Sequence, residues 1–186
     1  MAKQIIREQM LALRKRLDDQ SHVRLSQQAQ GRLVASSNFQ RAKTLALYSP
    51  IRHEVATGEI FLAAHAADKQ VFYPRVVGDD LEFLEVTSEE DLVAGAFGVA
   101  EPIGGRKIEL TELELIVVPG VAFSLDGFRL GYGRGFYDRQ LTGRPSTTVT
   151  VGLCFDFQLI DQLPIEEHDQ PLDYIVTETR FIPCRI

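Results

Sequence analysis

The chain has 186 residues, 45% of them hydrophobic and 25% charged, with a formal net charge of −6. That length suits one domain with a substantial core, and the composition is that of a globular protein. No apolar run approaches the length of a membrane span, and the acidic balance argues against general nucleic-acid binding; we expect a single soluble domain over residues 1–186.

The N-terminal stretch is polar and amphipathic, unlike a secretory signal. Ile6, Met10, Leu13 and Leu17 recur at helical spacing and predict a helix with one apolar seam. Lys3, Arg7 and Arg14 fall within about forty degrees of one another beside that seam, if each residue advances roughly a hundred degrees. Such a stripe either lays its stems over the core with its charges in solvent or reaches into a neighbouring cleft. Of the three, Arg14 is expected to matter least for binding. Ser21 is the expected start of a second helix carrying Leu25, Ala29 and Leu33 on one side. Thr44–Ser49 is a short apolar run of strand length, ended by Pro50. Thr57 is placed to cap a helix that buries Ile60, Phe61, Ala64 and Ala67. "QVFYP" and "LEFLEV" read as the next strands, and the nearly continuous apolar run "LELIVVPG" as a strand covered on both faces. A helix through Tyr137–Leu141 follows, then strands in "TTVTVGLCF" and "DYIVT". Strands alternating with helices predict an α/β sandwich with a mainly parallel sheet. Tyr48 and Phe123 are assigned to its core.

Cys154 and Cys184 lack metal-ligand spacing and read as packing residues of a cytosolic protein. His22, His53, His65 and His168 form no paired-ligand pattern, which argues against a histidine-bound transition metal.

The segment "GFRLGYGRGFYDRQL" (Gly127–Leu141) concentrates glycine, arginine and aromatic residues just beyond an apolar strand. In α/β proteins ligands collect at such strand ends. A dinucleotide fingerprint starting at Gly131 would need glycine at the position of Phe136, and no Gly-Lys-Ser/Thr ends the loop as a Walker A motif would. Closely spaced glycines still let successive backbone N–H groups converge on an anion. Arg129 and Arg134 can neutralise phosphate, and Asp138 is a hard oxygen donor suited to Mg²⁺ held mostly by water and phosphate. The plain alternative is a glycine-rich turn in which Asp138 is a structural acid near a helix start.

The string "VVPGVAFSLDGFRLGYGRGFYDR" resembles the signature of the 5-formyltetrahydrofolate cyclo-ligase family, Arg-Leu-Gly-x-Gly-x-Gly-Tyr/Phe-Tyr-Asp after a strand ending in Pro-Gly. "KQIIR", "EVAT", "FYPRV" and "LPIEEHDQPLDYIVTE" extend the resemblance over nearly the whole chain in the same order. It implies ATP-dependent conversion of 5-formyltetrahydrofolate to 5,10-methenyltetrahydrofolate with release of ADP and phosphate. It also implies a three-layer α/β/α sandwich similar to certain sugar-phosphate isomerases and CoA transferases. By the same resemblance Lys3, Arg7 and the loop Arg129, Leu130, Gly131, Tyr132, Gly133, Arg134, Gly135, Phe136 and Tyr137 would hold ATP. Asp138 and Asp173 would be associated with Mg²⁺, and Arg134 and Asp138 would act on the phosphoryl group. Ser49, Glu54 and residues Tyr132 to Phe136 would face the folate. Asp169, four residues before Asp173, is the alternative metal carboxylate, and Pro171 argues against a helix joining the two.

Three positions depart from the family's usual pattern: Arg134 stands where many members carry Lys or Gly, Phe136 lacks a hydroxyl, and Ala56 replaces an acid within Glu-x-x-Thr. A solvated loop carboxylate is the plain alternative for Glu54. The implied protein is a cytoplasmic monomer that uses two small-molecule substrates, with neither nucleic acid nor membrane as partner. Two further readings keep the fold: a sugar-phosphate isomerase or CoA-transfer relative, and a non-catalytic binder of folate, nucleotide or RNA. The first lacks an acid–base pair or glutamate nucleophile in the loop, and the second is opposed by Lys3, Arg7, Asp138, Asp173 and the negative charge.

Overall fold

The computed structural model describes residues 2–184 and, within them, every side chain but that of Ala96; residues 1, 185 and 186 of the expected domain lie outside the description. Helices α1 (Ala2–Lys15), α2 (Asp19–Val34) and α3 (Ser37–Arg41) precede strand β1 (Thr44–Ala46) and helix α4 (Gly58–Ala66). Strands β2 (Gln70–Val77), β3 (Asp80–Glu85), β4 (Leu92–Ala94), β5 (Ala100–Pro102), β6 (Lys107–Ile108) and β7 (Leu115–Val118) follow. The chain then forms β8 (Ala122–Ser124), β9 (Arg129–Leu130), α5 (Phe136–Leu141), β10 (Val149–Leu153), β11 (Leu159–Ile160), β12 (Tyr174–Val176) and β13 (Phe181–Pro183).

Eight strands form one sheet in the order β13-β12-β10-β7-β1-β2-β3-β6. Its middle, from β12 to β2, is parallel, and β13, β3 and β6 are added antiparallel at the edges. Side-chain alternation divides each central strand between two cores. Leu45, Val71, Leu115, Val117 and Val151 pack on one face with Leu33 of α2 and Ile60 of α4. Ala46, Phe72, Ile116 and Val118 pack on the other with Phe123 and Leu141. Burial on both faces explains why "LIVV" carries no polar residue. Helices α2 and α4 cover the first face. The second face is covered by α5 together with a three-stranded sheet, β11-β8-β9, so this layer is only partly helical. Tyr48 and Phe123 are core residues as expected.

Local details differ from the sequence reading where a tertiary partner intervenes. Helix α2 starts two residues before Ser21, because the carboxylate of Asp18 accepts a hydrogen bond from the Ser21 N–H and serves as the cap. Thr57 precedes α4, but its hydroxyl donates to the Tyr48 carbonyl at 2.9 Å and makes no cap bond. Ala67 lies beyond the end of α4 and is exposed. In α1 the inward-facing seam is Ile6 and Met10, both half-buried, and Arg14, which is fully buried. Ile6 and Met10 pack on Ala122, Leu130 and Leu163, whereas Leu13 is 39% exposed. The expected Leu13 gives way because the four-residue spacing from Ile6 to Met10 leads on to Arg14. Leu17, past the end of α1, packs on the other core.

Candidate active site

The chain runs from β1 outward to β2, then returns to the opposite side of β1 to lay down β7, β10 and β12. The switch point therefore lies between β1 and β7, where the parallel strands end side by side and leave a crevice at their carboxyl ends. Tyr48 and Ser49 follow β1 there, and Pro119 and Gly120 follow β7. A cavity of about 350 Å³ opens at this place.

Its walls include Ser49, Glu54, Arg129, Gly131, Tyr132, Arg134, Gly135, Phe136, Tyr137 and Asp138. Thus the fold brings the glycine loop against the segment after β1, some eighty residues earlier in the chain. The loop conformation explains two of its glycines. Gly133 and Gly135 have φ of +99° and +68°, a region that costs an L-residue free energy, and Gly135 leads directly into α5. Gly131 has no such constraint, and a Cβ there would meet only open space.

Glu54 is buried and well partnered. Its Oε2 accepts from the Ile51 N–H at 3.0 Å and its Oε1 from the Tyr132 hydroxyl at 2.9 Å. Burial pushes its carboxyl above the usual range, opposed by the Ile51 N–H and by Arg14. The solvated-loop alternative for Glu54 is therefore set aside, since the residue is only 5% exposed. The Tyr132 phenol, desolvated and beside Glu54, is pushed up to about 12. The Arg52 guanidinium lies 5.2 Å from the Tyr132 ring centroid, a cation–π distance. Ser49 Oγ donates to the Ala100 carbonyl at 2.6 Å and so anchors the β4–β5 hairpin to the cavity wall.

Asp138 Oδ1 lies 3.2 Å from Arg129 Nη1 and accepts from the Gln170 N–H at 3.2 Å. Its Oδ2 has no protein donor among the described residues. Arg129 is 8% exposed, and burial lowers its affinity for a proton, opposed by Asp138. Arg134 is exposed and rests over the ring of Phe97, 4.5 Å from the centroid.

The remaining assigned residues lie outside the cavity lining. Arg7 Nε donates to the Gly131 carbonyl at 2.8 Å, so α1 braces the loop from the side. Lys3 Nζ donates to Asp169 at 3.0 Å and lies 3.2 Å from Glu166. Leu130 is buried in the core beneath α1. Gly133 is exposed next to the Arg7 guanidinium. Asp173 sits at the start of β12. Its Oδ2 accepts from the N–H and hydroxyl of Thr150 at 2.7 and 2.8 Å, and its Oδ1 from Arg144 at 3.0 Å.

The sequence reading missed Arg52 and Phe97 of the cavity lining and undervalued Arg14. Phe97, at the tip of the β4–β5 hairpin, lines the cavity 6.3 Å from the ring of Phe136. The only trace of it in sequence is an aromatic residue inside the turn "GAFG". Arg14, read as the least important of the basic stripe, is fully buried and reaches both Tyr132 and Glu54. Its signal was the stripe itself.

A glycine loop, exposed and buried arginines, a carboxylate with one uncommitted oxygen and facing aromatic rings suit a flat, anionic small molecule. Comparison with known proteins makes that class specific. The chain belongs to the 5-formyltetrahydrofolate cyclo-ligase family, whose model matches residues 1–178. It is 34% identical over 167 residues to a probable 5-formyltetrahydrofolate cyclo-ligase of Schizosaccharomyces pombe, covering 81% of this chain and 82% of that one. It is 32% identical over 173 residues to the 5-formyltetrahydrofolate cyclo-ligase of Escherichia coli K12, covering 90% and 95%. The fold is similar to that of Aquifex aeolicus 5,10-methenyltetrahydrofolate synthetase, with TM-score 0.88, 35% identity and coverage of 100% and 94%.

Proposed function

We propose that this cavity is where the chain carries out its family's reaction, the ATP-dependent closure of 5-formyltetrahydrofolate to 5,10-methenyltetrahydrofolate with release of ADP and phosphate. The observation that carries this reading is the meeting of Glu54 and Tyr132 with the loop from Gly131 to Asp138 around one cavity at the sheet's switch point.

A formamide carbon is a poor electrophile because nitrogen donates into it, and its oxygen is a poor leaving group. The formyl oxygen attacks the terminal phosphorus of ATP, and the bond to ADP breaks. The carbon, now bound to N5 as an iminium and to a phosphate ester, is attacked by N10. N10 gives up its proton to water, the carbon–oxygen bond breaks, and phosphate departs. The protein's contribution is positioning and charge stabilisation, as in other phosphoryl transfers. We read the loop N–H groups and Arg134 as the phosphate contacts, supported by Arg7, which ties α1 to the loop, and Lys3, which ties α1 to Asp169. Glu54 and Tyr132 offer a fixed polar edge, and Phe97 and Phe136 offer rings for a pterin or adenine to stack on.

Mg²⁺ fits Asp138, whose Oδ2 can join phosphate and water oxygens around the ion, and when bound it would offset charge on the terminal phosphate. Asp173 is the poorer fit, since both its carboxylate oxygens already accept hydrogen bonds from Thr150 and Arg144. Asp169 is held by Lys3 and by the Glu166 N–H. Among the described residues no three His, Cys, Asp or Glu side chains cluster as a preformed metal site.

We read the chain as one domain, active as a cytoplasmic monomer on these two small molecules without nucleic acid or membrane, and its layers as a variant of the three-layer sandwich of the isomerase and CoA-transferase folds. The net charge of −6 argues against a nucleic-acid partner, and a mainly parallel sheet packed on both faces supports the sandwich. No helix among the described residues is long and apolar enough to cross a membrane. The test is to mix purified protein, ATP, Mg²⁺ and 5-formyltetrahydrofolate and follow the methenyl chromophore. Its appearance only with ATP is the expected result, and undiminished formation without ATP would overturn the ligase reading.

A further inference from the structure

An arginine with no solvent exposure is costly, because its charge must be taken out of water and matched inside the protein. The fold matches Arg14 unevenly. Nη1 donates to the Gly120 carbonyl at 3.2 Å and lies 3.7 Å from Glu54 Oε1. Nη2 donates to the Tyr132 hydroxyl at 2.6 Å, and Nε is buried with no partner among the described residues. Ile6 and Met10 precede Arg14 on the same face of α1, where an apolar side chain would continue the seam at no electrostatic cost. Stability therefore gives no account of an arginine here, and its contacts supply one.

Those contacts join three separate segments. Gly120 follows β7, Glu54 lies between β1 and α4, and Tyr132 belongs to the glycine loop. All three line the cavity, and Arg14 does not. The Tyr132 hydroxyl has one proton. Since it accepts from Arg14, it must direct that proton to Glu54 Oε1, 2.9 Å away.

We propose that Arg14 is a positioning residue for the reaction: from outside the cavity lining, its guanidinium fork holds Tyr132 and Glu54 in one fixed hydrogen-bonded pair, so that the folate-facing wall is formed before the ligand arrives. The inference rests on the reading of this cavity as the folate site. Lysine cannot replace the fork, because a single ammonium on a flexible stem does not span Gly120, Glu54 and Tyr132 in a fixed geometry.

The test compares kcat and both KM values for the wild type, Arg14→Lys, Tyr132→Phe and the double variant, with thermal unfolding of each. Arg14→Lys should raise the KM for 5-formyltetrahydrofolate by about tenfold or more, the loss expected when a charge-assisted contact goes, and leave the KM for ATP little changed. In the Tyr132→Phe background the same substitution should have a much smaller effect, since the hydroxyl through which Arg14 acts is already gone. An unaltered folate KM in Arg14→Lys, or an equal loss in both backgrounds, would overturn the proposal. Should Arg14→Lys fail to fold, Tyr132→Phe decides alone, because an unchanged folate KM without that hydroxyl also overturns it. A wild type that forms no methenyl product would instead remove the assigned reaction.

Discussion

Asp138→Asn tests whether the one loop carboxylate has the catalytic role proposed for it or only a structural one. Its Oδ1 faces Arg129 and the Gln170 N–H, each at 3.2 Å, with Asp138 and Arg129 side chains 19% and 4% exposed. Asparagine keeps an oxygen acceptor, so both contacts can persist, and only the charge is lost. A hydrogen bond between charged groups contributes about 1.5–3 kcal/mol and a neutral one about 0.5–1.5 kcal/mol, so the substitution should cost ~1–2 kcal/mol. At roughly 2–4 °C per kcal/mol for a chain of this size, the unliganded Tm should fall by about 2–8 °C. If Asp138 has its proposed role, turnover should fall on the order of a hundredfold or more, because the charge that would align the terminal phosphate is missing. Stabilisation by MgATP should shrink in parallel, since a ligand stabilises the fold only as far as it binds. Thermal unfolding with and without MgATP, beside the methenyl assay, reads all three. Normal turnover with the expected fall in Tm would reduce Asp138 to the partner of Arg129, and an unmoved Tm would refute the ion-pair reasoning.

Asp173→Asn should lower the Tm by weakening the ties to Thr150 and Arg144 and leave turnover close to wild type; a lost turnover in a folded variant would restore this carboxylate to the metal site. Arg7→Ala should raise the KM for ATP about tenfold, the loss expected of a charged donor to the Gly131 carbonyl, which ATP titration of the rate will measure. Asp156 accepts from Arg180, Thr179 and Thr177, with Arg180 the main cause of a carboxyl held below its ordinary 3.8. A depressed folded-state value stabilises above the unfolded value, and that contribution is lost as pH falls below 3.8 and through the lower folded-state value. Urea midpoints should therefore drop from about pH 5 down to about pH 2, and Asp156→Asn should drop less; identical slopes would deny the carboxylate this role.

The long regular elements were legible in the chain because their causes are local. Alternation in "LEFLEV" and the unbroken apolar run "LIVV" mark strands with one or two buried faces, whatever their neighbours. The cyclo-ligase signature likewise lies in one contiguous stretch, from Val117 to Arg139. The short strands β8, β9 and β11 have no such mark, since two or three residues become a strand only through hydrogen bonds to a partner brought from elsewhere. Carboxylates posed the same problem. Asp138 and Asp173 look alike in sequence, and only packing gives one of them Thr150 and Arg144 while leaving the other an oxygen on the cavity. On α1 the helical period allowed either Leu13 or Arg14 to face inward. Hydrophobicity favoured the leucine, and the choice fell to the arginine because Gly120, Glu54 and Tyr132, from segments that meet only in the folded protein, supply the acceptors that let its charge be buried.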